Sequence, residues 1–273
     1  MGCAALVFAY LPLALAGSGS DTNANAPKLT ADEIVNKNVA ARGGLSAWRG
    51  VQRLQMKGKM EAGGNRREAL VIPTAKKGMQ APAQRPVEQV QLPFVMELER
   101  GRKKRVEIQF NGQTAVQVYN GTQGWKVRPF LNRHEVENYT AEETKSAATD
   151  ADLDGLLIDY AAKGETVELA GVEPVEGHSA YKLKVTDKNG YARHVWVDAE
   201  NFLEVKVEGT PRRLDGKYHP VATYLRDYRS VNGLMMPYLE ETVAEGVKDR
   251  EKIVIEEIVS NPKLDESRFA MPR

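Results

Sequence analysis

Short segments in which apolar and polar residues alternate make up most of this chain, and tight turns separate them. The clearest pair of segments lies in Asp227–Gly246, where Asn232-Gly233 stands between two alternating runs. Asn-Gly readily takes the positive φ angles of a two-residue hairpin turn. Further Asn-Gly pairs begin at Asn120 and Asn189. Strands joined in this way form an antiparallel meander and not strand-helix-strand units with a parallel sheet.

Two helices are predicted beside these strands. Thr30 and Thr140 each precede a glutamate by three residues, which is the capping box that starts a helix. The first helix is predicted over Ala31–Arg42, before a Gly-Gly pair, and the second over Thr140–Lys163, where leucines recur at helical spacing. Both are too small to cover the apolar side of so many strands. The predicted fold class is therefore mainly β (α+β): a curved antiparallel sheet forming an incomplete β-barrel with a few short covering helices.

The N-terminal residues are expected to lie outside the folded domain. Ala4–Ala16 is an apolar run that is too short to span a bilayer comfortably, and Ala14-Leu15-Ala16 has the small-x-small pattern of a cleavage site. Residues 1–16 are interpreted as a signal peptide, 17–28 as a flexible linker and 29–273 as one domain. A lipid anchor at Cys3 is the less favoured alternative, because the apolar run follows this cysteine instead of preceding it.

Composition and motifs exclude several classes of function. With 38 basic and 37 acidic side chains the net charge is +1, which argues against a nucleic-acid partner. The single cysteine permits no intrachain disulfide and makes a cysteine-based metal site implausible. No histidine has metal-ligand spacing, and no serine stands in a nucleophile elbow. Glu240 and Glu241 alternate across a strand, so they cannot share an acid–base site. The sequence therefore predicts no enzyme, no catalytic residue, no metal and no cofactor.

The densest basic run is Glu99–Arg105. Short runs of charge are usually solvated, so the favoured interpretation is the exposed end of a hairpin. The alternative is a contact with anionic lipid or an acidic partner.

Methionines and aromatic residues on the strands are the best candidates for a binding site. Methionine adapts its shape to irregular apolar partners. An ordinary packed core explains the same residues, but the thin helical cover also favours an apolar cavity. The candidate cavity residues are Met56, Met60, Met96, Trp125, Trp196, Tyr224 and Met235.

The run Leu234–Met236, followed by Pro237, has two interpretations: an ordinary core strand, or an edge strand that borders that cavity, where the missing N–H of proline is tolerated. Alternation sends Met235 and Met236 to opposite faces, so at most one of them lines the cavity.

Several stretches resemble LolA/LolB-like bacterial outer-membrane lipoprotein-sorting proteins. The N-terminal helix, double glycine and first strand of that superfamily are similar to ADEIVNKNVAARGGLSAWRGVQRLQMKGKM. Two of its central strands resemble KKRVEIQFNGQTAVQVYNGTQGWKVRPF, a later hairpin resembles DYRSVNGLMMP, and its closing strand and tail resemble IVSNPKLDESRFAMP. The resemblance runs from about Ala31 to Pro272.

The resemblance implies a periplasmic protein with an incomplete antiparallel β-barrel that helices cover and that holds acyl chains in an apolar cavity. It implies non-enzymatic binding or carriage of lipid or lipoprotein acyl chains, with a possible membrane or protein partner in the envelope. The alternative is an envelope interaction or structural module whose interior is filled by its own side chains.

Overall fold

The computed structural model describes residues 29–62, 90–129, 133–214, 216–247 and 250–272. The predicted signal peptide and linker lie outside these residues. Within them the helices are α1 (Ala31–Ala41), α2 (Leu45–Gly50) and α3 (Ala141–Asp150), with a 3-10 helix at Glu266–Phe269. The strands are β1 (Arg53–Ala62), β2 (Val90–Glu99), β3 (Lys103–Phe110), β4 (Gln113–Asn120), β5 (Gly124–Arg128), β6 (Arg133–Asn138), β7 (Thr166–Val175), β8 (His178–Thr186), β9 (Ala192–Asp198), β10 (Glu204–Leu214), β11 (Lys217–Val231), β12 (Leu234–Ala244) and β13 (Arg250–Ser260).

All thirteen described strands belong to one antiparallel sheet in the order β6-β5-β4-β3-β2-β1-β13-β12-β11-β10-β9-β8-β7. Strands that follow each other in sequence are neighbours, and the pairing of β1 with β13 joins the two halves. Because β6 and β7 are the two edges, the curved sheet does not close into a barrel. The predicted fold class is confirmed. The segment that connects β6 to β7, which includes α3, has to cross from one edge of the sheet to the other.

Most of the core lies on one side of the sheet, which we call the helix face. One cluster packs strands β1, β2, β12 and β13 against α2 and Trp48. A second packs β8 and β9 against Ile34 and Val35 of α1. Residues 151–158 contribute leucines to both clusters. A smaller cluster, formed by Val175, Ala180 and Trp196, lies on the opposite face.

Both capping boxes are present, with Thr30 and Thr140 as the N-cap residues. The second predicted helix is wrong beyond Asp150, where α3 ends and residues 151–164 form turns. Gly155 and Asp159 take positive φ angles of 78° and 54°, which a right-handed helix does not accommodate. The leucines at helical spacing are buried as expected, but they serve two different clusters and not one helical stripe.

The hairpin that joins β11 to β12 has the predicted turn, with φ angles of 51° at Asn232 and 84° at Gly233. The prediction that β12 is an edge strand is wrong, because it lies between β11 and β13. Pairing between β12 and β13 runs over Leu239–Val243, so Pro237 stands outside that ladder. Its missing N–H is therefore tolerated in a central strand.

Arg42 joins the elements of the helix face at the end of α1. Its guanidinium donates to Glu204 Oε1 at 3.2 Å and to the Asp154 carbonyl at 3.0 Å, and it stacks over the Trp48 ring at 4.3 Å. Its own carbonyl accepts from Trp48 Nε1 at 2.9 Å and from the backbone N–H of Met235 at 3.1 Å.

The next residue, Gly43, has φ +108°, and a Cβ there would lie 2.4 Å from the Gly233 carbonyl oxygen. The double glycine in the sequence thus allows α1 to meet the β11–β12 turn at backbone distance.

Replacing Arg42 by Met should destabilise the protein by about 3–5 kcal/mol, because it leaves the buried Glu204 carboxylate without its partner. Arg49→Met is the matched control, since it removes an arginine whose ion pair with Asp159 is exposed. Chemical unfolding of the two variants measures the difference. Equal losses of stability would contradict a buried Arg42 cluster that holds the helix face together.

Candidate functional site

The helix α3 covers the helix face by polar contacts and not by packing. Every residue of α3 is described, and none is buried. Glu143 forms an ion pair with Lys126 of β5, and Glu142 Oε1 accepts from the hydroxyl of Tyr218 of β11 at 3.3 Å. Arg102 donates to the Ala148 carbonyl at 3.2 Å. The helix therefore bridges the two sides of the curved sheet without contributing a buried side chain of its own.

Two spaces border α3. A pocket of about 240 Å³, which we call the cationic pocket, lies between α3 and strands β3 to β5. A groove of about 560 Å³, which we call the tyrosine groove, lies beside Tyr191 and Tyr218. Ser146 lines both, so the two spaces meet at α3. The sheet contributes Lys104, Val106, Gln117, Tyr119, Lys126 and Arg128 to the cationic pocket.

An apolar strip on the helix face leads into the cationic pocket. Met60 pairs with Ile253 across β1 and β13, and Met96 pairs with Val106 across β2 and β3. The two pairs share the helix face but lie in different register rows, because Met96 is opposite Met56 and not opposite Met60. We define the apolar strip as these four residues and Ile108. All five are half-buried, although four of them pack against the buried cluster below. The strip is therefore apolar surface that α1 and α2 leave partly uncovered.

Glu240 lies at the end of this strip, opposite Ile253 in the register. Burial raises the pKa of the Glu240 carboxyl, and the charge of Lys104 acts in the opposite direction. In a flat sheet Lys104 and Glu240 would lie about 19 Å apart across four strand spacings, and their register rows would also lie six residues apart along β1. An electrostatic interaction between them therefore reflects the curvature of the sheet.

Three of the predicted cavity residues lie together on the helix face. Met56 is buried in the cluster beneath α2, with 8% of its surface exposed, and Met60 and Met96 are half-buried against it. Met56 pairs with Met96 across β1 and β2. Met60 lies four residues further along β1 and therefore on the same face. The sequence prediction thus brings together the two methionines of the apolar strip and a core residue below them.

The other four predicted cavity residues lie on the opposite face. Trp125 shares a register row with Val118 and Glu97. Glu97 is adjacent to Met96 on β2, so this row faces the side of the sheet opposite to Met56 and Met96. Trp196 and Tyr224 share a row in which the ammonium of Lys206 lies 4.2 Å from the ring of Trp196. Met235 alternates with the buried Leu234 and Met236. The four predicted cavity residues on the opposite face are therefore Trp125, Trp196, Tyr224 and Met235. Whether any of the seven contacts a ligand stays a prediction, but they do not share one space.

Carboxylates also follow the predicted alternation. Glu240 faces the apolar strip, whereas Glu241 on the opposite face accepts from Arg226 and Arg250. Among the described residues no group of three or more His, Cys, Asp or Glu side chains is arranged to hold a metal ion. In the same part of the chain, no helix combines the length and the hydropathy that crossing a bilayer requires.

Glu240→Gln should raise the melting temperature at pH 8 but not at pH 4. The raised pKa means that the folded state binds this proton more tightly than the unfolded state. The stability it contributes is complete below the unfolded pKa and is lost as the pH rises through the folded pKa. Thermal unfolding at several pH values measures this difference.

Glu241→Gln is the matched control, because Glu241 is paired with arginines, and it should not stabilise the protein at pH 8. If both variants melt at the same temperature as the parent at every pH, folding does not disfavour the charged form of the half-buried Glu240.

Solved structures of known proteins share this fold. A LolA superfamily protein from Nitrosomonas europaea superimposes with a TM-score of 0.56 at 12% identity, covering 89% of this chain and 98% of its own. A DUF1329 family protein from Desulfovibrio piger gives 0.54 at 12% identity over 88% and 96%. A putative outer membrane lipoprotein-sorting protein domain from Vibrio parahaemolyticus gives 0.52 at 14% identity over 87% and 95%.

These similarities confirm the resemblance to the LolA-like superfamily at the level of the fold. No protein-family model matches the sequence, and the comparison with curated proteins gives no match.

Proposed function

We propose that the protein binds lipid or lipoprotein acyl chains without catalysis and acts as a carrier in the bacterial periplasm. The observation that carries this proposal is the apolar strip, which stays half-buried on the helix face and reaches the cationic pocket beside α3 at Val106. None of the five strip residues lines the tyrosine groove, but this groove meets the cationic pocket at Ser146, and its volume of about 560 Å³ is within the usual size of ligand sites, roughly 300–1,000 Å³. Similarity of fold to a putative lipoprotein-sorting domain supports the same class of ligand.

The energetics of burial suit a purely apolar ligand. Each buried methylene contributes about 0.8 kcal/mol, so ten methylenes contribute about 8 kcal/mol before the costs of association. Methionine at two of the five strip positions can adjust to chains of different shape. The polar contacts that hold α3 are partly exposed, so displacing this helix exposes no buried side chain of its own. These features permit uptake and release without covalent chemistry.

The alternative is an envelope interaction module with a filled interior. The buried clusters beneath α1 and α2 are consistent with this alternative, because their own side chains fill most of the helix face. The apolar strip and the two spaces beside α3 are where a ligand would have to bind. Binding of an acyl probe decides between the two functions.

Met60→Glu should weaken binding of dansyl-undecanoic acid by tenfold or more, because it places a charge among the strip residues; roughly 1.4 kcal/mol is sufficient for tenfold. Met235→Glu is the matched control, with the same half-buried residue type on the opposite face, and should bind like the parent. Fluorescence titration measures both, and palmitate should displace the probe.

Thermal unfolding verifies that each variant is folded. If the parent protein takes up no probe, the filled module is the better account. If Met235→Glu weakens binding as much as Met60→Glu does, the site is not the apolar strip.

The periplasmic location predicts a processed N-terminus. Cleavage after Ala16 should leave a mature chain that begins at Gly17 in the secreted protein. Intact-mass analysis of protein purified from the periplasmic fraction measures the processed end. A diacylglyceryl adduct on Cys3 would instead establish the lipid-anchored alternative.

A further inference from the structure

We infer that the ligand is an anionic amphiphile, whose carboxylate or phosphate lies in the cationic pocket while its chain lies along the apolar strip. The inference rests on the proposed function and adds the chemical class of the headgroup. Three observations carry it: an unpaired lysine, a buried donor without an acceptor, and a change of polarity along one register row.

The unpaired lysine is Lys104. It is half-buried on β3 and lines the cationic pocket. Its chain neighbours on the opposite face are neutralised, since Lys103 binds Glu99 at 2.6 Å and Arg105 binds Glu107 at 2.8 Å. Lys104 makes no hydrogen bond or ion pair within the described part of the chain, although its charge acts on the Glu240 carboxyl. A half-buried ammonium without a partner is unfavourable unless a ligand supplies the counter-charge.

Further donors surround the same space. Arg128 uses Nη2 to bind Glu137 at 2.7 Å, but its Nε is buried and has no acceptor among the described residues. Burial, reinforced by the Glu143 charge, raises the pKa of the Tyr139 phenol to about 12, so this lining residue keeps its proton at neutral pH.

Two carboxylates also line the pocket. Glu143 is neutralised by Lys126, and Asp150 is exposed at the end of α3. Pairing therefore accounts for Lys126, and it leaves the charge of Lys104 available to an anion.

Polarity changes along a single register row of the helix face. The row crosses β1 to β5 as Met56, Met96, Val106, Gln117 and Lys126. Four strand spacings give it a length of about 19 Å. It begins in the apolar core and ends at the Lys126–Glu143 ion pair under α3. Lys104 lies on the same face two residues from Val106, so a molecule that passes from the apolar strip into the cationic pocket meets apolar groups first and the charge of Lys104 last. An amphiphile with an anionic head matches this order.

The test compares three ligands with the same twelve-carbon chain: dodecanoate, dodecyl phosphate and neutral dodecanol. Each displaces the neutral dye N-phenyl-1-naphthylamine from the full mature protein at pH 8, below its micelle-forming concentration. A charge-assisted hydrogen bond increases affinity by roughly tenfold or more, so both anions should bind at least tenfold more tightly than dodecanol. Whichever anion binds more tightly identifies the headgroup as carboxylate or phosphate.

Lys104→Gln should abolish the preference for anions and leave the affinity for dodecanol unchanged. Lys103→Gln is the matched control, an adjacent lysine on the opposite face, and should bind all three ligands like the parent. Thermal unfolding verifies both folds.

Dodecanol that binds as tightly as the anions would overturn this inference and leave the proposed function standing. An equal loss in Lys103→Gln would overturn it as well, since the effect would then be general electrostatics. Failure of dye and all three ligands to bind would overturn both proposals.

Discussion

The connection between β6 and β7 has to cross a thirteen-stranded sheet, because these consecutive strands form its two edges. A buried set of charges fixes the second part of that crossing. The Asp154 carboxylate binds Arg100 and Lys163 at 2.8 Å each, and the backbone carbonyl of Asp154 accepts from Arg42 at 3.0 Å. Although burial opposes it, pairing with Lys163 keeps the pKa of Asp154 below its usual value. With these ion pairs formed, turns replace helix over residues 151–164 and still bury leucines in both core clusters.

The first part of the same crossing is held differently, and this difference creates the candidate site. The helix α3 has no buried residue and depends on contacts from Lys126, Tyr218 and Arg102. Few buried apolar contacts mean a low free energy of local opening. Beside α3, Val106 and the rest of the apolar strip stay half-buried. The connection thus has two parts: α3, which packs weakly over the sheet, and residues 151–164, which are fixed in the core.

Alternation along the strands and Asn-Gly turns predicted the antiparallel meander, and the capping threonines predicted where α1 and α3 begin. Spacing could not show that the leucines after Asp150 serve two clusters, so the helix was extended too far. Alternation also assigns faces only within one strand. Register between strands, set by long-range pairing and by bulges, placed Trp196 and Met235 opposite Met60. The basic run at Glu99–Arg105 was interpreted as a solvated hairpin end. The sequence could not show that Lys103 and Arg105 form ion pairs in the fold, whereas Lys104 between them forms none among the described residues.

The central claim is that acyl chains lie on the helix face, between the sheet and α3. Photo-crosslinking with a fatty acid that carries a diazirine along its chain tests this claim directly, with peptide mass spectrometry to locate the adducts. The account predicts adducts on peptides that contain Met60, Met96 and Val106, and their loss when unlabelled palmitate competes. Adducts concentrated around Trp196 and Tyr224 on the opposite face, or labelling that palmitate does not reduce, would contradict it.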